Sequence, residues 1–443
     1  MKTDNRPRVI VIGAGFAGLW AARTLTRSPV EVWLIDRNNY HTFLPLLYQV
    51  AAAEVEPEEI AYPVRRILRQ WRNVHFVMAD VKRIDLAARR VEMGDANLPY
   101  DYLVLATGST AHFFSVPGAP EYTFTLKTLE QGIALRNHIL AQFEKAEHTS
   151  DPASRQRALT LAIVGGGATG VEFAGALAEL VRGPLIRDYA RPDPHASHVV
   201  LIESQNDLLP GLPAALRAYA STRLRQMGVA VRVGAAVREI TCDAVYLKDS
   251  QVISTETVVW TAGVAGDPNA AAWGLPTAPN GRVNVLPTLQ LPEHPEVYVV
   301  GDLANVTASE GALPMVAPVA IQQGVAAARN LARQIEGKSA LPFRYHDRGT
   351  MVTLGRNTAI ARVWNHSFTG FPAWLLWVGV HLFNLIGFRN RLFVLVNWAL
   401  DYLFADRTVC LILPSEQKTI SIPTVGNRFA PVDRRLTISS AST

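Results

Sequence analysis

The chain has 443 residues, of which 49 % are hydrophobic and 18 % charged, and this length has room for about three domains with buried cores. Its formal net charge is +5. Only two cysteines occur, Cys242 and Cys410, without a Cys-x-x-Cys motif or a histidine cluster at metal spacing. These features exclude a disulfide framework, argue against a zinc or iron–sulfur site, and are typical of a protein in a reducing cytoplasm.

The positive charge is concentrated beside an apolar stretch near the C-terminus. Residues 341–443 contain ten Arg and one Lys against five acidic residues, a net charge of +6 that leaves −1 for residues 1–340. These basic residues are interleaved with Trp, Phe and Leu, which favours an anionic membrane surface over nucleic acid as the partner. We therefore expect no nucleic-acid binding.

The first predicted unit is a strand, a tight turn and a helix. Four β-branched residues, 9–12, precede Gly13-x-Gly15-x-x-Gly18, and an Ala-rich segment follows. In this pattern the first glycine makes the turn, the second lets a pyrophosphate approach the backbone, and the third lets helix and strand pack closely. The next predicted strand ends at Asp36, where a carboxylate can accept a ribose hydroxyl. The combination predicts a dinucleotide-binding unit.

The same pattern recurs in the middle of the chain. An apolar strand leads into Gly165-x-Gly167-x-x-Gly170 and a helix, and the next strand ends at Glu203. The intervening segment, residues 182–197, is rich in Pro and charge and is predicted as a surface loop. Two complete fingerprints predict two bound dinucleotides; the alternative is a duplicated fold with one inactive site.

Glu203 also bears on which nucleotide the second unit prefers. The residues that follow it, Ser-Gln-Asn-Asp, include no Arg that could receive a 2′-phosphate. The carboxylate itself would repel such a phosphate. We therefore expect the second unit to prefer NADH to NADPH.

Two further apolar strands end in small residues, YDYLVLATGS at residues 100–109 and VYVVGD at residues 297–302. Such endings place backbone beside a ligand at the carboxyl edge of a sheet. Together with the two glycine loops and VVWTAGV at residues 258–264, they resemble the two-dinucleotide flavoprotein disulfide-reductase superfamily. The resemblance implies non-covalent FAD in the N-terminal unit and a pyridine nucleotide in the middle unit. The redox-active cysteine pair of that superfamily is missing, so a disulfide reductase is excluded.

The resemblance also implies which residues contact each nucleotide. The positions implied for FAD, with Asp302 on the ribityl chain, are Gly13, Gly15, Phe16, Ala17, Gly18, Asp36, Arg37, Val81, Ala106, Thr107, Gly108, Gly301, Asp302 and Ala317. The positions implied for NADH are Gly165, Gly167, Ala168, Thr169, Gly170, Glu172, Glu203 and Gly263.

Three segments resemble a narrower family. YHTFLPLLYQVA at residues 40–51, APVAIQQG at residues 317–324 and the apolar C-terminal region closely resemble the type II NADH:quinone oxidoreductases. The similarity covers nearly the whole chain. It implies a respiratory enzyme that pumps no protons, with NADH as donor, FAD as carrier and a membrane quinone as acceptor. The implied α/β fold has an FAD domain split around an inserted NADH domain, followed by a C-terminal membrane-associating helical module.

Candidate quinone contacts follow from the same resemblance. Gln49 and Gln322 are the expected hydrogen-bond partners of the quinone oxygens, although each could instead be a structural amide. Pro318 replaces a Gln that many relatives carry and is predicted in the first turn of an Ala-rich helix whose positive end faces the flavin ring. The residues expected to line an apolar approach are Pro45, Leu46 and Leu47.

Glu172 is the candidate catalytic carboxylate. We predict it on the first turn of the second unit's helix, two residues after the glycine loop. The family resemblance places the matching glutamate between the nicotinamide and quinone regions. Stabilisation by the helix dipole alone is the structural alternative.

The C-terminal apolar region is predicted to lie on a membrane. Residues 371–388 carry no formal charge but are slightly fewer than the ~20 that a spanning helix needs. We therefore predict two helices in the interface plane, broken at Gly387; a dimerisation surface or buried core helices are the alternative. The predicted anchors at head-group depth and at lipid phosphates are Trp374, Trp377, Arg389, Arg391, Trp398, Tyr402 and Arg407.

These elements predict four segments, with the hydrophilic stretch 144–157 leading into the NADH-binding core. The predicted boundaries are residues 1–118 and 285–340 for FAD, 119–284 for NADH with its core at 159–264, and 341–443 for the membrane module, which opens with strands. We expect the protein on the cytoplasmic face of the inner (cell) membrane, with NADH, quinone and lipid as partners; a homodimer is left open. The rival functions are a soluble NADH:iron–sulfur-protein reductase, a sulfide:quinone reductase and a redox-sensing flavoprotein without turnover.

Overall fold

A computed structural model describes residues 6–94, 96–189, 198–308, 311–404 and 410–412. Within these residues the chain forms two five-stranded parallel sheets of the same design, three smaller three-stranded antiparallel sheets and a pair of C-terminal helices. In both parallel sheets the central strand leads directly into a glycine loop.

The first sheet takes strands from both ends of the chain. Most residues of its strands are buried, as expected for a parallel sheet that is covered on both faces, and the exposed ones lie mainly on the edge strand Val74–Met78. In spatial order they are Val297–Val299, Tyr102–Leu105, Arg8–Ile12, Glu31–Asp36 and Val74–Met78. Ile12 is paired with Ile35 on one side and Leu105 on the other, so the loop after Ile12 lies at the carboxyl edge of the sheet.

The second sheet repeats this arrangement. In spatial order its strands are Phe124–Thr125, Thr257–Trp260, Thr160–Val164, His198–Ile202 and Ala230–Arg232. The two units are joined where Ser109–Ala111 pairs antiparallel with Val264–Gly266. Strands of the first sheet come both before and after those of the second sheet in sequence. The second unit is therefore inserted into the first.

The remaining elements surround these sheets. Those around the first sheet are the helices Phe16–Leu25, Pro57–Ile60, Val64–Ile67, Asn269–Ala272 and Ala317–Ile335, the 3-10 turns Leu68–Gln70 and Gly301–Leu303, and the strands Tyr40–Thr42, Ala61–Pro63, Arg83–Asp85, Arg90–Met93, Ala96–Pro99, Val283–Asn284, Ala304–Asn305, Thr307–Ala308 and Gly311–Ala312. Those around the second are the helices Ala119–Tyr122, Leu129–His148, Pro152–Leu159, Ala168–Leu180, Ile186–Asp188 and Ala214–Gln226, the π-helical turn Val181–Leu185, and the strands Val237–Ile240, Ala244–Leu247 and Val252–Ser254. The 3-10 turn Leu44–Leu46 and the helix Leu47–Ala51 belong to the first unit in sequence but pack against helices of the second.

One local prediction in the second unit is corrected. The start of the predicted surface loop 182–197 continues the preceding helix through Val181–Leu185 and Ile186–Asp188, while residues 190–197 lie outside the described part of the chain. The hydrophilic stretch 144–157, which leads into the NADH-binding core, is mostly helical: it completes Leu129–His148 and supplies most of Pro152–Leu159. Polar composition there reflects a solvated helix face.

The C-terminal region begins as predicted with strands, Thr350–Thr353, Ala359–Val363 and His366–Gly370, which form an antiparallel sheet. The helices Phe371–Asn384 and Phe388–Phe404 follow. The predicted break is confirmed, since Gly387 adopts a left-handed conformation with φ of +92°. No helix in the described residues has the length and apolarity needed to cross a membrane.

Candidate active site

The first glycine loop has one face closed by packing and one face open. Gly13 has φ of +102°, and a Cβ there would overlap the carbonyl of Ala106. A Cβ on Gly18 would overlap the carbonyl of Gly13, whereas a Cβ on Gly15 would meet nothing within 4 Å. Gly13 and Gly18 are therefore required by the fold. Gly15 caps the helix Phe16–Leu25 without any side-chain hydrogen bond and leaves the helix N-terminus open to a ligand.

The second glycine loop repeats this geometry. Gly165 has φ of +116°, and a Cβ on Gly170 would overlap the carbonyl of Gly165. Gly167 again has open space around it, and Ala168 and Thr169 are exposed at the start of the helix. Both loops therefore present free backbone N–H groups at a helix N-terminus, which is the arrangement that binds a pyrophosphate.

The two acidic residues at the ends of the second strands occupy equivalent positions. The backbone N–H of Ala14 donates to Asp36 Oδ2 at 2.6 Å, and that of Gly166 donates to Glu203 Oε2 at 2.6 Å. Burial raises the pKa of Asp36, and the N–H groups of Ala14 and Asn38 partly offset that rise. Each carboxylate thus holds its glycine loop in place and retains lone pairs for a ribose hydroxyl.

The residues around the first loop fit FAD. The hydroxyl of Thr107 and Nε2 of Gln323 are buried without a hydrogen-bond partner among the described residues, so polar ligand atoms would satisfy them. Pro318 lies in the first turn of Ala317–Ile335, as predicted, and that helix packs closely on the first loop helix at Ala17 and Gly324. The other predicted FAD positions have these placements: Phe16 half-buried, Arg37 exposed, Val81 and Ala106 buried, Gly108 and Gly301 with positive φ, and Asp302 beside Ser109.

Lys127 was missed by the sequence analysis. Its Nζ donates to Ser109 Oγ at 3.2 Å, and Ser109 Oγ donates to Asp302 Oδ2 at 2.7 Å. Burial lowers the pKa of Lys127, while the charge of Asp302 raises it. The signal for this residue was weak because Lys127 lies between the two sheets in sequence, in a segment without a glycine motif.

A chain of hydrogen bonds through the buried residues Tyr48, Gln49 and Thr353 links the two units to the C-terminal helices. Trp398 Nε1 donates to Gln49 Oε1 at 3.0 Å, and Gln49 Nε2 donates to the hydroxyl of Tyr48 at 3.2 Å. That hydroxyl lies 2.9 Å from Thr353 Oγ1, and the backbone N–H of Thr353 donates to Glu172 Oε1 at 3.3 Å. The chain therefore brings Gln49 and Glu172 to the same cleft. The cleft is lined by these residues together with Glu54, Glu179, Arg356 and Trp377.

Glu172 is half-buried in the wall of this cleft. It is the fifth residue of the helix Ala168–Leu180, so its predicted place on the first turn is wrong and the helix dipole does not explain it. Burial raises the pKa of Glu172 to about 8, despite the opposing effects of the Thr353 N–H and the nearby indole of Trp377. The carboxyl group is therefore largely protonated at neutral pH and can give up a proton within the cleft.

Four residues predicted to contact the quinone or line its approach do not line this cleft. Both groups of the Gln322 amide bond the backbone of His346 at 3.0 Å, so this residue joins a surface helix to the following loop rather than the cleft. Leu46 and Leu47 are buried in the core, and Leu47 touches Gly132. Pro45 is half-buried. Of the predicted polar contacts, the structure brings only Gln49 and Glu172 together.

The C-terminal anchors divide into inward and outward residues. Trp377 is 2 % exposed, Trp398 bonds Gln49, and Trp374 lines the cleft, so the prediction that these indoles lie at head-group depth is wrong for Trp377 and Trp398. Arg391 donates to the carbonyls of Leu385 and Phe383 and so caps the first helix instead of facing lipid. Arg389 is exposed. The side chain of Tyr402 and all of Arg407 lie outside the described residues.

The outward face of the two C-terminal helices is apolar. Its exposed large side chains are Leu375, Leu376, Val380, Phe383, Phe388, Leu392, Phe393, Leu395 and Val396, with Phe383 76 % and Phe388 81 % exposed. The inward face carries Trp377, Asn390 and Val394, all buried. An unpartnered apolar face of this extent marks an interaction surface.

The remaining predicted positions are less distinctive. Gly263 packs against Phe114 and His112 near the junction of the two units. Cys242 is exposed and Cys410 half-buried, and neither lies among the residues around the first glycine loop. Within the described residues no cluster of His, Cys, Asp and Glu could hold a metal ion.

Two nucleotide-binding units with a shared cleft define a pyridine nucleotide-dependent flavoprotein, and comparisons with known proteins narrow this class. A profile of the Pyridine nucleotide-disulphide oxidoreductase family matches residues 7–324. The chain is 38 % identical to the type II NADH:quinone oxidoreductase Ndh of Mycobacterium tuberculosis, over 92 % of this chain and 90 % of that protein. It is 35 % identical to NdhA of the same organism, over 90 % and 88 % of the two chains.

A solved structure has the same fold. NDH2 from Plasmodium falciparum, determined in complex with NADH, superimposes with a TM-score of 0.83 at 17 % identity, covering 90 % of this chain and 99 % of that one. Together with the sequence relatives, this match covers the C-terminal part of the chain as well as the two nucleotide units. The chain belongs to the type II NADH:quinone oxidoreductases within the pyridine nucleotide-disulphide oxidoreductase family.

Proposed function

We propose that this chain oxidises NADH through bound FAD and reduces a quinone in the cleft between Gln49 and Glu172. The observation that carries the site assignment is the buried chain from Trp398 through Gln49, Tyr48 and Thr353 to Glu172. It supplies polar groups, and one carboxyl with a raised pKa, to a cleft that is also lined by the indoles of Trp374, Trp377 and Trp398. Such a combination suits a ligand with an apolar ring and two carbonyl oxygens.

The first unit holds FAD and the second holds NADH. FAD, when bound, would supply the two-electron carrier between NADH and the quinone. Gly15 and Gly167 admit the two pyrophosphates, and Asp36 and Glu203 accept ribose hydroxyls. Asp302, held by Ser109, and the helix beginning at Ala317 would contact the rest of the FAD. Glu203 makes NADH the preferred donor, since its charge repels a 2′-phosphate.

Glu172 would provide one of the two protons that reduction of a quinone to a quinol takes up, while the other arrives with the two electrons as the hydride of NADH. Because its pKa is about 8, it holds a proton at neutral pH without the help of a cationic neighbour. Burial also raises the pKa of Tyr48, so this hydroxyl stays neutral and can both donate and accept in the hydrogen-bonded chain. Gln49 would orient a quinone oxygen, and its own geometry is set by Trp398.

The C-terminal helix pair is proposed to dock on a membrane. Two observations support this: the exposed apolar face that includes Phe383 and Phe388, and the exposed Arg389 at its edge. The opposite face supplies Trp377 and Trp398 to the cleft wall, so docking places the cleft where a lipid-soluble quinone dissolves. The cytoplasmic face of the inner membrane is the proposed location, because NADH is supplied there.

The domain boundaries at residues 118, 284 and 340 are also proposed. Strands from both sides of the NADH unit share the first sheet, which supports a split FAD domain. Of the membrane module 341–443, residues 405–409 and 413–443 lie outside the described part. A homodimer is left open, since nothing in the described residues identifies its surface.

The test separates hydride transfer from quinone reduction. NADH added anaerobically to the purified holoprotein should bleach the flavin absorbance, and a short-chain quinone should restore it. Glu172→Gln should leave the bleaching and the FAD content unchanged but slow reoxidation by on the order of 100-fold, since one general acid contributes that much. The matched control is Glu121→Gln, a change of an exposed carboxylate, which should alter neither the bleaching nor the rate of reoxidation. Loss of flavin from Glu172→Gln, or unchanged reoxidation, would contradict the assignment.

A further inference from the structure

A second basic surface lies outside the C-terminal region. The segment Val64 to Arg72 contains four arginines and no acidic residue. It folds as the short helix Val64–Ile67 and the turn Leu68–Gln70, with Val64 and Leu68 buried and the arginine side chains exposed. The four side chains, which we call the arginine face, are Arg65, Arg66, Arg69 and Arg72.

The arginine face has no acidic partners. Within the described residues Arg66, Arg69 and Arg72 make no hydrogen bond or ion pair, and Arg65 lies over the ring of Phe76 at 5.1 Å. An arginine group that is not neutralised by the protein is available to bind a phosphate, which its planar guanidinium matches in geometry.

Of the three glutamates that precede this segment, only Glu59 is withdrawn from solvent. Glu59 is buried and accepts from Asn397. Glu56 lies 3.9 Å from the buried Arg136 but its side chain is 40 % exposed, and Glu58 is exposed. Residues 56–72 therefore present four arginines and two carboxylates to solvent, an excess of positive charge.

The arginine face adjoins the apolar face of the C-terminal helices. Asn390 Nδ2 donates to the carbonyls of Glu59 at 2.9 Å and Ala61 at 3.2 Å, three residues before the helix that carries Arg65. Gly387 packs against the ring of Tyr62 so closely that a Cβ would lie 2.5 Å from it. The neighbouring residues Phe388 and Arg389 are both exposed. The apolar and basic surfaces thus meet along one edge.

We propose that the arginine face is the phosphate-binding half of the membrane contact and makes docking selective for anionic lipids. This inference rests on the docking proposed above. A bilayer is the occupant that satisfies both surfaces at once, because acyl chains would cover Phe388 and its neighbours while lipid phosphates meet the arginines. The FAD unit would then contact the membrane directly, independently of the C-terminal helices.

The test measures partition of the holoprotein onto vesicles of phosphatidylcholine alone or mixed with phosphatidylglycerol. Arg66→Gln/Arg69→Gln should weaken binding to the anionic vesicles about 30-fold, since each basic residue at such a surface contributes about a factor of five. Binding to the neutral vesicles should not change, and the difference should shrink at high salt. The matched control is Arg225→Gln/Arg238→Gln, two exposed arginines of the NADH unit, which should bind like the parent protein.

Flavin bleaching by NADH verifies that every variant is folded and loaded. Equal loss of binding in the two arginine pairs would overturn the proposal, because total charge rather than the arginine face would then govern binding. A parent protein that binds both vesicle types equally would overturn it as well, while leaving docking by the apolar face intact. A parent protein that binds neither vesicle would overturn both this inference and the docking on which it rests.

Discussion

Glu172 has its unusual protonation because of what surrounds it rather than because of a charged partner. The residue is enclosed by Thr353, Trp377 and neighbouring side chains, and Glu54 adds a further repulsive charge. Desolvation therefore favours the neutral carboxyl over the carboxylate. This gives a group that can release a proton when reduced quinone takes it up, and that can recover one from solvent afterwards.

The same burial makes the stability of the protein depend on pH in a defined direction. The pKa of Glu172 is about 8 in the folded protein against 4.5 for the free group. Between these values the folded state keeps a proton that the unfolded state loses, so this contribution to stability is complete below about pH 4.5 and is lost as the pH rises through about 8. Its size is on the order of a few kcal/mol.

We therefore expect Glu172→Gln, which cannot ionise, to gain stability relative to the parent protein as the pH rises from about 5 to about 8.5. Thermal melts of the two holoproteins at a series of pH values measure this difference, in which other titrating groups cancel. Glu121→Gln, an exposed carboxylate, supplies the control and should show a constant difference. A constant difference for Glu172→Gln would mean that the carboxyl is not buried as described.

At the scale of elements, each nucleotide unit is a strand, loop and helix in which the glycines do different work. Gly18 allows the helix Phe16–Leu25 to approach the preceding turn, and Gly170 does the same for Ala168–Leu180. Gly15 and Gly167 lie where a side chain would meet no protein atom. The first pair serves packing and the second pair serves the ligand.

This division predicts different outcomes for two equal changes in the first loop. Gly18→Ala should prevent stable folding, because its Cβ would overlap the backbone oxygen of Gly13. Gly15→Ala should fold, since its Cβ has open space, but should purify with much less FAD because the methyl group occupies the approach of the pyrophosphate. Far-UV circular dichroism and flavin absorbance measure the two effects. Full FAD content in Gly15→Ala would remove this loop from the FAD site.

Features that depend on neighbouring residues in the chain could be predicted from the sequence, whereas contacts between residues far apart in the chain could not. The glycine loops, the strands 350–363 and the break at Gly387 follow from local patterns, and the structure confirms them. The pairing of Trp398 with Gln49 joins residues 349 positions apart and has no local signal. The burial of Trp377 could not be predicted either, because a helix that is apolar on nearly all sides gives no sequence signal for which face is buried.

The whole molecule assembles its cleft from three distant parts of the chain. Tyr48 and Gln49 come from the FAD unit, Glu172 from the NADH unit, and Thr353 and Trp398 from the C-terminal region. The helix that supplies Trp398 is fastened to the FAD unit by Asn390 and Asn397. Its outer face is the apolar surface proposed for the membrane, so one helix pair forms both the cleft wall and the lipid contact.

The lipid contact is best tested by changing surface residues, since deleting the helix pair would expose the core in which Trp377 and Val394 are buried. The variant Phe383→Ser/Phe388→Ser alters only outward side chains, which are 76 % and 81 % exposed. Binding to vesicles should fall on the order of 100-fold or more, since two buried phenyl groups would be lost from lipid. Flavin bleaching by NADH and turnover with a water-soluble quinone should be retained.

Turnover with a long-chain quinone dissolved in the vesicles should fall in step with binding, since that substrate is reached only from the membrane. The matched control is Val233→Ser/Val252→Ser, two apolar residues of the NADH unit that are 37 % and 53 % exposed. It should leave binding and both activities unchanged. If the phenylalanine variant kept its vesicle binding, the helix pair would not be the lipid contact, and the apolar face would have to be assigned to a protein partner instead.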